Sequence, residues 1–216
     1  MLPADDQEGS LMARMVDDSV REEQRQRLLD SAIRALVKSG FDSVRLRDIA
    51  ADAGVTTGMI QYYFDSRQAL LVAALEKVGL DQINAWTQIT ELEGDPWTRL
   101  TLLIAACADP HPDRAVERSA AWLEFCACAC RHPELRDVLS TVNRRWREVI
   151  LDTIRLGRTN GVFRPVLDDG TVADAIVAIL DGCEMSIGSQ AGLVNSDEAR
   201  AVATAVAEQL LSRVSR

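Results

Sequence analysis

LRDIAADAGVTTGMIQYYF, residues 46–64, is the stretch on whose reading the fold turns. Its apolar spacing predicts two short helices, at about 46–53 and 57–64, joined by a tight turn at Ala53-Gly54-Val55. Two helices that cross this closely need a small side chain at the crossing, and Ala50 stands there. The turn needs a residue that tolerates positive φ, and Gly54 does so without steric cost. Ile49, Ala53, Val55, Ile60 and Tyr63 are placed to pin the pair onto a third helix. Thr56 precedes the second short helix as an N-cap. The amides at that helix end suit a phosphate, and Gly58 leaves room for a close backbone approach. The pattern is that of a helix-turn-helix that contacts duplex DNA. A helical hairpin that uses Ala and Gly by chance is the competing reading, and the flanking order speaks against it.

On the N-terminal side, Leu29, Ala32, Ile33, Leu36 and Val37 recur at helical spacing and stop at Gly40, where a C-terminal glycine ends a helix. Phe41 follows as an apolar anchor. On the other side, Ser66 can cap a fourth helix, with Leu70, Leu71, Ala74, Leu75 and Val78 on its apolar side. Beyond Gly94-Asp95-Pro96 the texture changes to longer helices, at about 97–108, 113–131, 134–159, 170–190 and 196–213. Pro, Gly and Asn punctuate the joints. The expected organisation is all-α in three parts. Residues 1–20 form a polar, acidic, disordered tail. Residues 21–66 form a three-helix DNA-binding domain. Residues 67–216 form a larger helical body for effector binding and dimerisation.

Net charge is −9, which at first sight disfavours nucleic acid. Its distribution matters more. Residues 1–20 carry −4, residues 21–70 carry +1 and the rest −6, so the motif lies in the least acidic part of the chain. No apolar run is long enough to span a membrane, and the acidic start MLPADDQEGS lacks the basic-then-apolar order of a signal peptide. A cytoplasmic protein without membrane contact is expected. The five cysteines fit neither a zinc pattern nor a secreted disulfide framework. Cys126, Cys128 and Cys130 read as small apolar residues of a buried helix, with a redox sensor as the lesser alternative. The two histidines, His111 and His132, each precede a proline at a helix joint and read as loop or capping residues. No catalytic triad, cofactor motif or metal cluster is indicated, so neither an enzyme nor a bound cofactor or metal is expected.

The stretch RLLDSAIRALVKSGFDSVRLRDIAADAGVTTGMIQYYFDSRQALLVAAL resembles the N-terminal domain of TetR-family regulators over about residues 25–75. ADAIVAILDGCEMSIGSQAG more loosely resembles the body of the subgroup related to the choline-responsive repressor. The resemblance implies a DNA-binding transcriptional regulator, most simply a repressor that a small molecule releases from double-stranded operator DNA. The alternative is a helical small-molecule-binding protein or enzyme with a fortuitous helix-turn-helix. The DNA face is expected at Arg45, Thr56, Thr57, Gly58, Gln61, Tyr62, Tyr63 and Arg67, with Arg47 as a weaker candidate. Thr57, Gln61 and Tyr62 are the expected base readers. Gln61 replaces a frequent family Tyr, and Arg67 the usual Lys that opens the fourth helix, which leaves a fork able to grip phosphate.

A mainly apolar effector is expected in the body, against Trp122, Phe125, Trp146 and Met185, with Glu184 as a polar anchor. Trp86 and Trp97 also count among aromatics that line either a cavity or a core. Glu124 and Glu184 stand in apolar helical stretches, where an unpaired carboxylate is rarely buried. A homodimer is expected through two stripes on the last two helices. Val172, Ile176, Ile179, Leu180, Cys183 and Ile187 form the first, and Val202, Ala203, Val206, Ala207 and Leu210 the second. The competing reading is that both stripes only cover their own core.

Overall fold

The computed structural model describes residues 4–91 and 94–212, with side chains from Asp18 onward. Among the described residues all regular structure is helical: α1 (Ala4–Ser39), α2 (Leu46–Ala53), α3 (Thr57–Tyr63), α4 (Arg67–Glu91), α5 (Pro96–Cys107), α6 (Pro112–Arg131), α7 (Pro133–Thr159), α8 (Asp169–Ser189) and α9 (Ser196–Leu211). The expected helices are all present, and their ends fall close to the Pro, Gly and Asn punctuation. One element is longer than expected. The sequence reading put a disordered tail at 1–20, whereas α1 begins at Ala4; residues 1–3 lie outside the described residues.

The chain divides into two compact units, Met1–Ala74 and Leu75–Arg216. The boundary falls inside α4, a little after the 66/67 division read from the sequence. In the first unit α1 packs on α2 and α2 on α3. The core is made of Leu28, Leu29, Ala32 and Leu36 from α1, then Phe41, Val44, Ile49, Ala50, Ala53, Ile60 and Phe64. Arg34 of α1 grips Asp52 of α2 through Nε at 3.1 Å and Nη2 at 2.6 Å. That hydrogen bonding holds the Asp52 carboxyl below its ordinary value.

In the second unit α8 is central, packed against α5, α6, α7 and α9. Its approach to α6 is close: a Cβ at Gly188 would lie 2.7 Å from the Ser119 carbonyl carbon. Arg147 ties α7 to α8 by a forked pair with Asp174, at 2.5 and 3.2 Å. Asn195 and Glu198 form a reciprocal capping box at the start of α9. His111 and His132 occupy the N-cap positions of α6 and α7, though neither ring makes the capping hydrogen bond.

Candidate nucleic-acid interface and effector pocket

The turn between α2 and α3 is built as the sequence requires. Gly54 takes φ 68°, and its N–H donates to the Ala51 carbonyl at 3.3 Å while that of Val55 donates to Ala50 at 2.9 Å. These paired bonds satisfy the last carbonyls of α2 and fix where α3 starts. Thr56 then caps α3, its hydroxyl accepting from the Met59 N–H at 3.2 Å. Ile60 points inward at 1% exposure.

Most of the remaining surface of α3 faces outward among the described residues. Thr57, Gly58, Gln61 and Tyr62 are all exposed, Tyr62 at 68%. A large aromatic left so open is the informative exception to burial. Tyr63 is half-buried, edge-on to Tyr62 with ring centroids 5.2 Å apart. A Cβ at Gly58 would meet only Thr56 Oγ1, at 3.8 Å, so no internal contact demands glycine there. Arg45 and Arg47 are exposed beside this helix, with Arg47 Nε 3.6 Å from Asp48. Met59, exposed on the same helix, was missed from the sequence, because a thioether signals neither phosphate nor base-edge chemistry.

Arg67 is placed differently from expectation. Its Nε donates to the Val44 carbonyl at 2.6 Å, its Nη2 donates to the Phe41 carbonyl, and its guanidinium lies over the Phe41 ring, 5.8 Å from the centroid. The fork expected on a phosphate is spent on the loop between α1 and α2. Carbonyls at the end of a helix-terminating turn attract a planar cation as well as an anion does. Arg67 is therefore a brace of the motif.

The expected effector residues divide. Trp122, Phe125 and Trp146 are buried. Trp146 of α7 stacks on Trp86 of α4 at 4.3 Å, and Trp122 meets Phe125 edge-on at 5.6 Å. Glu184 is also buried, 5% exposed, and its Oε1 has no hydrogen-bond partner. Desolvation pushes its carboxyl up from 4.5 to about 8, partly offset by Arg118 and reinforced by Asp181. Met185 faces outward at 54% exposure and is not a pocket wall: consecutive helical residues point about 100° apart, and Glu184 takes the inward direction.

The dimer stripes need a similar correction. Ile176, Leu180, Cys183 and Ile187 on α8, with Ala203 and Ala207 on α9, are buried within their own unit, and Ile179, Val206 and Leu210 are half-buried. Their apolar spacing encodes the core of this chain. Val172 is buried as well, while Val202 of the expected second stripe is exposed; the outward faces present Ala178, Gly182 and Met185 on α8 and Ala201, Val202 and Ala205 on α9. The three cysteines of α6 divide: Cys128 is buried and Cys126 half-buried, whereas Cys130 is exposed and so departs from the expected buried helix, because it falls on the outward side of the helix end. The Cys128 Sγ donates to Glu124 at 3.5 Å. Burial lifts the Cys126 thiol to about 12, so it is not a thiolate at neutral pH. Among the described residues no group of three or more His, Cys, Asp or Glu is placed to hold a metal, and no helix is long and apolar enough to cross a membrane.

Comparison with known proteins agrees with this division. Residues 28–74 match the family described as bacterial regulatory proteins, tetR family, and residues 96–212 match the BetI-type transcriptional repressor, C-terminal. The chain is 29% identical over 160 residues to the HTH-type transcriptional regulator BetI of Rhizobium meliloti, covering 73% of this chain and 74% of that one. A transcriptional regulator from Saccharomonospora viridis, solved in complex with choline, is 26% identical with a TM-score of 0.78, covering 90% and 100% of the two chains. A TetR-family regulator from Rhodococcus is 27% identical with a TM-score of 0.71, covering 88% and 99%. The chain belongs to the TetR family of bacterial regulatory proteins, with a C-terminal domain of the BetI-type transcriptional repressor.

Proposed function

We propose that this ligand-responsive repressor reads an operator with α3, binds it in the cytoplasm as a two-fold homodimer, and is released when a small molecule occupies the second unit. The carrying observation is the exposed set Thr57, Gly58, Gln61 and Tyr62 on a helix whose other side is locked by Ile60. Thr57, Gln61 and Tyr62 supply hydroxyl and amide groups suited to base edges, while Arg45 and Arg47 supply charge for phosphates. Gln61→Ala and Tyr62→Ala should each weaken operator binding by about 1–3 kcal/mol and relax sequence preference. Unchanged operator affinity in both folded variants would contradict the assignment.

The dimer is proposed through the outward faces of α8 and α9. Ala178, Gly182, Ala201 and Ala205 are small enough for close helix approach, and Met185 and Val202 are exposed apolar groups that association would cover. Four helices, two from each chain, would form the bundle. Two-fold symmetry then presents two α3 helices to half-sites one DNA turn apart, or a multiple of it.

The effector is proposed to lie in the second unit, with aromatic walls from Trp122, Phe125 and Trp146 and a polar contact at Glu184. Its body is mainly apolar, as those walls favour. The similar Saccharomonospora viridis regulator was solved with choline, which makes choline the first probe. Helix α4 runs from Arg67 to Glu91 and so carries both the brace of the motif and Trp86. A shift of α4 on effector binding would alter the spacing of the two α3 helices. A coupling of about 1–3 kcal/mol is usual for such linkage, and operator must weaken effector binding by the same factor. Operator titration with and without saturating choline tests this, and equal affinities would count against choline as releaser.

A further inference from the structure

We infer that Cys126 and Cys130 of α6 form a two-thiol site for a soft, two-coordinate metal ion of the Cu(I) type. Both are free thiols, Cys126 half-buried and Cys130 exposed. They stand four residues apart on one face of the helix, a spacing that brings Cβ atoms to about 5–6 Å from each other. The Cys130 sulfur is close enough to act electrostatically on that of Cys126. Cys128, between them in sequence, is buried and engaged with Glu124. The last turn of a helix tends to fray, but this one is held. Arg136 of α7 reaches back, its Nε donating to the Ala129 carbonyl and its Nη2 to the Cys130 carbonyl, both at 3.1 Å. The His132 N–H donates to the Cys128 carbonyl at 2.8 Å. The final carbonyls of α6 are thereby partnered, and the two thiols stay one turn apart. An open cleft of about 430 Å³, with Cys130, Arg136 and Asn143 among its walls, gives access from solvent.

The ligand count decides which metal fits. Thiolates are soft donors and favour Cu(I) and zinc among the common ions. Zinc needs three or four protein ligands. Among the described residues no group of three or more His, Cys, Asp or Glu is placed to supply them. Two thiolates alone satisfy a closed-shell monovalent ion that accepts linear coordination, as Cu(I) and Ag(I) do. With metal–thiolate bonds of about 2.3 Å, a linear S–metal–S unit spans about 4–5 Å, which two cysteines one turn apart can bracket. On binding, both S–H bonds break, each electron pair passes into a sulfur–metal bond, and two protons leave to solvent. Neither sulfur nor metal changes oxidation state. One positive charge enters for two that depart, so the bound site gains one negative charge. The Arg136 guanidinium on the same cleft and the exposed Arg131 next to Cys130 are placed to offset it. On the side of Cys126, Asp181 and Glu184 attract the arriving cation. The bridged pair staples the last turn of α6 beside its joint with α7.

The test is anaerobic titration of the reduced full chain with Cu(I) in competition with bicinchoninate, and with Ag(I) followed by native mass spectrometry. Zn(II) serves as the control ion. The expected result is one Cu(I) or Ag(I) held tightly per chain, with Zn(II) failing to displace it. Cys126→Ser and Cys130→Ser should each weaken Cu(I) binding by about 10²–10⁴-fold, because the second thiolate acts at high effective concentration once the first is bound. Cys128→Ala should leave the affinity unchanged. Alkylation by iodoacetamide, mapped on peptides, gives a reading that needs no variant: Cu(I) should protect Cys126 and Cys130 together and at the same stoichiometry. Independent binding of several ions of equal affinity, protection of Cys130 without Cys126, tighter binding of Zn(II), or single variants that keep wild-type Cu(I) affinity would each overturn the inference. The site needs neither operator nor effector, so these outcomes leave the regulator reading untouched.

Discussion

Gly58 and Arg67 separate what a side chain does for the fold from what it does for DNA. A methyl group at Gly58 meets nothing closer than 3.8 Å, and alanine is favoured over glycine in a helix by about 1 kcal/mol. Gly58→Ala should therefore leave the unfolding midpoint unchanged or raised, yet weaken operator binding where the DNA backbone comes near. Paired denaturation and anisotropy measurements check this, and undiminished DNA affinity would show that nothing approaches Gly58. Arg67→Ala should act in the opposite sense. Losing the bonds to the Val44 and Phe41 carbonyls should cost about 1–3 kcal/mol of stability. Arg67→Lys should recover only part of that, since an ammonium cannot reproduce the fork. An Arg67→Ala variant of normal stability with a flattened salt dependence would restore the phosphate role. The sequence identifies Arg67 as a cation at the right place but not its direction, because helix-end carbonyls and phosphates call for the same guanidinium.

At the scale of the element, the turn from α2 to α3 was legible because every requirement in it is local. A small residue at the crossing, a left-handed glycine and a hydroxyl cap all lie within seven positions, Ala50 to Thr56. Gly54 has open space around it, so only its φ of 68° constrains the residue. Gly54→Ala should cost about 1–2 kcal/mol from the left-handed backbone alone. Chemical denaturation measures it, and a neutral result would mean that the turn relaxes. Gly157 is the converse case. Its own φ is not the constraint; the ring of Phe163, itself fully buried, lies where a Cβ would go. Gly157→Ala should destabilise the second unit by about 1–3 kcal/mol through overpacking. Nothing in the local sequence marks that contact. The stripes on α8 and α9 mixed core and outward residues for a related reason. Apolar periodicity finds a buried face, but both a core and a dimer bury apolar faces, and the distinction rests on which neighbours the fold supplies.

For the whole molecule, composition and helix count were enough for the class, and the two family-like stretches enough for the family. The state of Glu184 was not legible, since its burial depends on α5, α6 and α8 meeting around it. It has a consequence for stability. The folded chain holds the Glu184 proton up to about pH 8, while the unfolded chain releases it near 4.5. Between those values the folded state binds more protons, so its contribution to stability is complete below about 4.5 and is lost as pH rises through about 8. Urea midpoints measured across that window should carry this falling component in the wild type and lack it in Glu184→Gln; identical profiles would refute it. The central claim, that α3 reads DNA, has a more direct test. Purified protein would be titrated by fluorescence anisotropy against an inverted-repeat duplex from the DNA beside its own coding region, and against a shuffled duplex, over a range of salt. The expected result is specific binding at least about a thousandfold tighter than binding to the shuffled duplex, with log affinity falling linearly in log salt. Equal affinity for the two duplexes, or none for either, would contradict it.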